Sequence, residues 1–282
     1  MAADDESLPS SYDARTVIVL PEVRDQGDYR TCWAFAALGA MEANYRKQNL
    51  TSLGEYPNFS ELHLAWFTYK TLHSNDVKSA EYILNKGGSP AEAKSFLSMG
   101  TSPVSEEDMP YSRAGTIEAF LAGKTFTRTA IKLHDTNKIG SIELQNMDYV
   151  KRDIMRHGAI YFHYRTNDSG YDSTHNSFFY ASAREAHAAL LVGWDDDYPA
   201  ANFKSTPSMN GAWLVRNSWG KDWGDNGYVF IVSEDIPDTT EEKKLHDEGG
   251  ETVNITPKWS ANIFKMITKD YVRSTKSYSK HT

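Results

Sequence analysis

From Cys32 the chain runs Trp33-Ala-Phe-Ala-Ala-Leu-Gly-Ala-Met41 with no polar interruption, which predicts a helix to about Gln48 that is apolar on every side. Such a helix has to be enclosed by other elements. Thr31 stands where an N-cap belongs, so Cys32 falls in the first turn. Three more helices are expected. Ser60–Leu72 has Ser60 as cap and Glu61 in its first turn, Ser89–Leu97 has Pro90 at a tolerated first-turn position, and Met147–Arg156 is the fourth. Upstream, Leu8–Gln26 reads as extended chain punctuated by Pro9 and Pro21. The second half changes character. Ala159–Tyr164, Ala188–Trp194, Ala212–Arg216 and Tyr228–Val232 are short apolar or aromatic runs bounded by Gly, Asp and Asn, the pattern of strands. Helices followed by strands predict an α+β protein, and two lobes with a cleft between them would suit a reactive site. Asp195–Gly211 reads as a polar insertion loop and Glu234–Gly250 as an acidic exposed loop. Val253–Ile267 regains apolar character, and the last dozen residues, rich in Lys and Ser, are expected to be disordered.

Composition narrows the classes. With 282 residues, 40% hydrophobic and 24% charged, the chain can bury a large core. A net charge of −8 and the lack of a basic stripe argue against a nucleic-acid partner. No apolar run approaches the ~18 residues that a membrane span needs. Asp195-Asp196-Asp197 could suggest calcium, but its spacing fits no calcium loop and a solvated acidic turn accounts for it. No metal or cofactor is expected.

The chemistry centres on the single cysteine, which excludes an intrachain disulfide. A lone cysteine is usually a small buried hydrophobe. A thiol attacks an amide as its thiolate, which a helix N-terminus and a neighbouring imidazolium both favour. Cys32 has the first of these. Of nine histidines, His63 and His73 are expected on a surface helix and His246 and His281 in polar tails. His187 differs, because it opens the apolar strand Ala188–Trp194, where a rigid backbone could hold its ring at a cleft edge. Asn217 follows a second strand and precedes Ser218-Trp219-Gly220. An amide oxygen on the imidazole N–H would fix the tautomer, and a neighbouring Trp would keep water off that bond. Gln26 could donate its side-chain amide to an oxyanion, with the Cys32 backbone N–H as second donor.

These segments resemble the papain and cathepsin family of cysteine peptidases. Gln26-Gly27-x4-Cys32-Trp33-Ala34-Phe35 is similar to the family's nucleophile segment. His187-Ala-Ala-Leu-Leu-Val-Gly193 is similar to its histidine strand. Trp213-Leu-Val-Arg-Asn-Ser-Trp-Gly220, with Trp223-Gly-Asp-Asn-Gly-Tyr228, is similar to its asparagine segment. Lesser echoes are Leu8-Pro-x2-Tyr12-Asp13-x-Arg15, Gly87-Gly88 and Pro110-Tyr111, all in family order. The spacings from Cys32 to His187 and to Asn217 exceed the family's usual ~130–150 residues, and the Asp195–Gly211 insertion accounts for part of the second.

The resemblance implies a papain-like two-lobed α+β fold over residues 8–232. Its helical lobe would span about 21–112, and its strand-rich, barrel-like antiparallel lobe about 8–20 and 113–232. Residues 233–282 would be an additional segment partly packed on the body. It implies Cys32 as nucleophile, His187 as proton shuttle, Asn217 as its orienter and Gln26 in the oxyanion hole. Gly87 and Gly88 would offer backbone to an extended substrate. Ser89, Ala91, Glu185 and Ala186 would line the pocket for the second residue upstream of the cleaved bond, and Trp219 and Trp223 would shield the site. Implied partners are peptide or protein substrates and a pro-segment or protein inhibitor. The implied location is secreted or associated with the cell envelope, as in bacterial members.

Departures from the family stand beside the nucleophile. Tyr29 occupies the place of a usual cysteine, and Arg30-Thr31 that of a usual Gly-Ser pair. The expected activity is endopeptidase hydrolysis. The competing expectations are a catalytically impaired peptide-binding module and an exopeptidase of the same family.

Overall fold

The computed structural model describes residues 7–49, 57–73, 75, 78–99, 103–125, 131–140, 147–166, 168–179, 185–232 and 262–270. In chain order the elements are β1 (Ser11–Asp13), α1 (Cys32–Lys47), α2 (Glu61–Leu72), α3 (Ala80–Asn85), α4 (Pro90–Ser98), α5 (Ile117–Leu121), β2 (Ile131–Gly140), α6 (Met147–His157), β3 (Ile160–Thr166), β4 (Tyr171–Asp172), β5 (Ser177–Phe178), β6 (Glu185–Asp195), β7 (Ala212–Arg216), β8 (Tyr228–Val232) and β9 (Asn262–Asp270).

Because α1 is apolar all round, it is walled in. Every residue from Trp33 to Tyr45 is buried, including Glu42 and Asn44. Helices α2 and α4 pack on one side of it and the sheet on the other. The approach to the sheet is close at Gly39, where a Cβ would lie 2.7 Å from Leu190 Cδ1. Ser60 caps α2 by accepting from His63 N at 3.0 Å, and Ser89 caps α4 by accepting from Glu92 N at 3.2 Å. These expected caps are present, with Pro90 in the first turn of α4.

The strands form one sheet in the order β2-β9-β3-β6-β7-β8-β5-β4, with β1 also paired to β6. Strand β3 pairs with Glu185–Leu191 of β6, and β1 takes over at Gly193–Asp195. A side chain at Gly193 would collide with β1, since its Cβ would sit 2.1 Å from Tyr12 O. Alternation along β6 divides the core in two. Ala188, Leu190 and Val192 face α1, while Ala189 and Leu191 join Val150 and Ile154 of α6 on the opposite face.

The α+β class holds, but the barrel-like lobe does not. Strands β5 and β8 pair in parallel, and no pairing joins β2 to β4 among the described residues, so the sheet is mixed and open. A barrel fills its own interior with side chains. Here α1 and α6 cover the two faces, so both are buried without closure.

Other expectations are corrected as well. His63 is 4% exposed rather than on the surface, because its face of α2 packs against Phe67 and Phe96. Thr31 makes no side-chain cap to α1, since its hydroxyl is 2.6 Å from Tyr111 Oη instead. The 195–211 loop is not simply polar surface. Tyr198 and Phe203 are buried with Phe179, Ala212 and Val232 in a small core of their own. Helices α3 and α5 and strands β2, β4 and β5 were not expected. Part of the carboxyl-terminal segment enters the body as β9, between β2 and β3. The acidic 234–250 stretch, the last dozen residues, His246 and His281 lie outside the described residues.

Among the described residues, no helix is long and apolar enough to cross a membrane, and no group of three or more His, Cys, Asp or Glu is placed to hold a metal ion.

Candidate active site

Cys32 is the first residue of α1, and its side chain is half-buried. With its hydroxyl turned to Tyr111, Thr31 makes no side-chain cap, and of the first-turn N–H groups those of Cys32 and Trp33 act on the sulfur while Ala34 and Phe35 donate to Thr31 O. The backbone N–H groups of Ala188, Trp33 and Cys32 itself favour the thiolate. Burial outweighs them and pushes the Cys32 thiol up. The contact with Ala188 brings the sulfur, from near the front of the chain, to β6 beside His187.

His187 is 5% exposed, and its Nε2 lies 2.6 Å from Asn217 Oδ1. An amide oxygen only accepts, so Nε2 carries the hydrogen and Nδ1 is left as the ring's acceptor. The Trp219 ring stacks on the imidazole, with centroids 4.5 Å apart, and Tyr164 meets it edge-on at 5.5 Å. Burial pushes the His187 pKa down to about 4, against the pull of the Asn217 bond, and His163 lowers it further. Asn217 Oδ1 also accepts from Ser218 N at 2.8 Å, which fixes the amide in its plane. The sequence argument expected an imidazolium to favour the thiolate. In this arrangement burial instead favours the neutral form of both groups.

Gln26 is buried at 7% exposed and held from three sides. Its Nε2 donates to Tyr29 O at 2.7 Å, its Oε1 accepts from Ser218 Oγ at 2.7 Å, and its carbonyl accepts from Tyr111 Oη at 2.8 Å. An amide nitrogen has two hydrogens, so one remains for a ligand. Backbone bonding reinforces this, from Gln26 N to Ser218 O at 2.8 Å, beside a bridge between Asp25 and Trp219. The segment before the cysteine is thus joined to the segment after Asn217. Ser218 and Tyr111 are functional neighbours the sequence reading did not assign. Ser218 stood inside a quoted motif, but nothing in one sequence says which side chain it will touch.

Beneath the site lies a buried charge cluster that was also missed. Arg24 makes ion pairs with Glu42 of α1 and Glu61 of α2 and donates to Phe59 O at 3.1 Å. Glu42 accepts from Phe59 N at 2.7 Å. Burial, with help from the neighbouring carboxylates, raises Glu61 to about 7 although Arg24 pulls the other way. Arg24 stays charged, its pKa raised by Glu42 and Glu61 against its own burial.

The expected substrate-side residues are spread along two walls. Gly87, at φ +79°, and Gly88 precede α4, and Gly88 lies against the indole of Trp33, next to Cys32. Ser89 Oγ is 3.0 Å from Glu92 Oε2 besides capping the helix, so it is engaged locally. Ala91 is exposed on α4 and Ala186 is exposed on β6, while Glu185 is the first residue of β6, opposite Thr166. Trp223 packs edge-on against Trp219 at 4.7 Å and stacks on Tyr171 at 5.0 Å, as a backing for Trp219.

A half-buried thiol at a helix start, an imidazole fixed by an amide and a buried glutamine amide define a thiol-centred site between helices and sheet. The sequence pattern described as papain family cysteine protease matches residues 8–244, and the chain belongs to that family. It is 28% identical over 232 residues to a cysteine protease of Blomia tropicalis, covering 80% of this chain and 61% of that protein. It is 28% identical over 231 residues to the oryzain gamma chain of Oryza sativa subsp. japonica, covering 80% and 55%. The chain therefore spans little more than half the length of these curated relatives.

Solved structures share the fold. The cysteine protease and lectin-like domains of Cwp84, a surface layer associated protein of Clostridium difficile, superpose with a TM-score of 0.68 at 22% identity, over 95% of this chain and 53% of that one. A structure from work on the mite allergens Blo t 1 and Der p 1 gives a TM-score of 0.61 at 20% identity, over 95% and 73%.

Proposed function

We propose that the chain is a peptidase that hydrolyses internal peptide bonds through Cys32, His187 and Asn217. The observation that carries this is the 2.6 Å His187–Asn217 bond on the strand residue next to Ala188, whose N–H faces the Cys32 sulfur. With Nε2–H committed to Asn217, Nδ1 of His187 takes the thiol proton. The thiolate then attacks the carbonyl carbon of the scissile bond, and the carbonyl electrons move to oxygen. The free Gln26 Nε2–H and the Cys32 backbone N–H meet that oxyanion. The imidazolium returns its proton to the leaving amine as the C–N bond breaks, giving a thioester. Water, deprotonated by His187, hydrolyses the thioester and restores the thiol. Gly87 and Gly88 present backbone to an extended substrate as an added strand would. Ala91, Ala186 and Ser89 leave room for its side chain.

Peptide and protein substrates, regulation by a pro-segment or protein inhibitor, and an exported or envelope-associated location belong to the same reading. The location draws on the surface-layer association of Cwp84. One observation favours a second reading, a cleft that binds peptides without turnover: burial raises the thiol and lowers the imidazole.

Incubation with a peptide library in reducing buffer, read by mass spectrometry, separates the two. Cleavage products that vanish in Cys32→Ala support the peptidase. Tight peptide binding with no products sinks it. Equal cleavage of end-blocked and free-ended peptides supports internal cleavage, while dependence on a free end indicates an exopeptidase.

A further inference from the structure

Arg216, the last residue of β7, is a buried guanidinium that makes no ion pair with a carboxylate among the described residues. It is 6% exposed, and its Nη2 donates to Glu22 O at 2.5 Å. Among the described residues its Nε and Nη1 have no hydrogen-bond partner. The nearby carboxylates of Glu42 and Glu61 are taken by Arg24. Tyr228, paired with Arg216 across β7 and β8, has its phenol raised by burial and so supplies no negative charge. Burying a cation without a counter-charge is costly, and buried charges are normally paired. Asn217 is next in the chain. Its Oδ1 is occupied by His187 and Ser218, and its buried Nδ2 also has no partner among the described residues.

Arg216 and Asn217 both line one cavity. It lies between α1 and strands β6 and β7, lined by Phe35, Ala36, Ala188, Arg24, Arg216 and Asn217 among others, with about 10 Å³ open to the centre of a water-sized particle. That volume is on the order of what one water-sized particle needs. Every unsatisfied polar atom of Arg216 and Asn217 is an N–H donor. A water has two lone pairs for them and would need acceptors for its own two hydrogens. A small anion accepts from all of them and neutralises Arg216.

We propose that this cavity is a binding site for one small monoatomic anion of the halide class, physiologically chloride, held by Arg216 Nε and Nη1 and Asn217 Nδ2. The anion would sit on the far side of the Asn217 amide from His187 and hold its nitrogen inward and its oxygen toward the imidazole. Only that last consequence rests on the peptidase reading. The site itself does not.

The test uses the whole chain and reads binding, not turnover. Thermal unfolding is followed as chloride or bromide replaces methanesulfonate at constant ionic strength. For the native protein the midpoint rises by about 2–3 °C for each tenfold increase in halide above its dissociation constant. For Arg216→Met that rise disappears, and Arg216→Lys, which keeps the charge with fewer donors, shows a weaker one. Crystals grown in bromide give an anomalous peak within hydrogen-bonding distance of Arg216 and Asn217. A water-strength feature without anomalous signal, together with a midpoint indifferent to halide, overturns the proposal. Because no substrate is involved, its failure is separate from failure of the peptidase reading.

Discussion

Ser218 Oγ donates to the side-chain oxygen of Gln26 at 2.7 Å, a buried bond between residues 192 apart in the chain. It fixes which way the Gln26 amide faces, because with Oε1 taken by Ser218 one Nε2 hydrogen goes to Tyr29 O and the other is left over. Ser218 is therefore a positioning residue for the proposed oxyanion donor. Gln26→Ala is expected to lower kcat by about 10²–10³-fold, the usual cost of one such donor. Ser218→Ala is expected to lower kcat by about 5–10-fold with little change in KM, since one neutral hydrogen bond is worth ~1 kcal/mol. Steady-state kinetics on one peptide substrate check both. A Ser218→Ala effect confined to KM would mean that it shapes binding rather than the amide.

The Asn217 bond to His187 makes a different prediction. Without Oδ1 the ring loses its tautomer lock, and only the packing of Trp219 and Tyr164 would hold its plane. Asn217→Ala is expected to leave labelling of Cys32 by a thiol reagent measurable but slower, and to lower kcat by at least tenfold. Asn217→Gln, with a longer arm, is not expected to restore the rate. Labelling as fast as native would show that the amide does not act on the Cys32–His187 pair.

Two buried groups make opposite contributions to stability against pH. His187 drops from 6.5 to about 4 on folding, so between those values the unfolded chain binds the extra proton, and stability falls as pH falls. Glu61 rises from 4.5 to about 7, so between those values the folded chain binds the extra proton, and stability falls as pH rises. Across about pH 4.5–6.5 the two slopes cancel. The native protein is therefore expected to show a nearly flat stability from this pair. Glu61→Gln should unmask a slope rising with pH by up to about 1.4 kcal/mol per unit. His187→Gln should unmask the opposite slope. Urea unfolding at pH 4.5, 5.5 and 6.5 checks this, and parallel curves for all three proteins would rule it out.

The uneven legibility of the sequence has physical reasons. Helix α1 could be read because an apolar run with no polar face admits few other structures. Strands β6, β7 and β8 could be read because apolar runs ended by Gly, Asp and Asn mark themselves. The pairing of His187 with Asn217 was inferred from strand ends that carry reactive side chains. Four things were not legible. The cap expected of Thr31 failed because Tyr111, far along the chain, competes for the hydroxyl. The Arg24–Glu42–Glu61 cluster joins a loop to two helices, and no local pattern marks a charge for burial. The open sheet depends on α6 and β9 reaching it, which is a matter of tertiary packing. Short strands such as Tyr171–Asp172 and Ser177–Phe178 carry too few residues for alternation to show.

The last prediction concerns Gly87 and Gly88, which look alike in sequence and differ in space. Gly87 has φ +79° and nothing within 4 Å of where a Cβ would be. Gly87→Ala therefore costs backbone strain alone, on the order of 1 kcal/mol. At Gly88 a Cβ would lie 2.4 Å from Trp33 Cε2 and 2.6 Å from Nε1. The indole is rigid, 5% exposed and rooted in the first turn of α1 beside Cys32, so it has little room to retreat. Either the glycine segment moves off the helix or Trp33 moves and takes the sulfur with it. Overpacking of this kind costs about 1–3 kcal/mol. A displacement near 1 Å at a reacting atom can cost about 10²-fold in rate. Gly88→Ala is therefore expected to lower both the unfolding midpoint and kcat/KM, and Gly87→Ala mainly the midpoint. Thermal unfolding and peptide kinetics on the two variants, side by side, decide it. Equal behaviour in both measurements would mean that the contact with Trp33 does not govern where Cys32 sits.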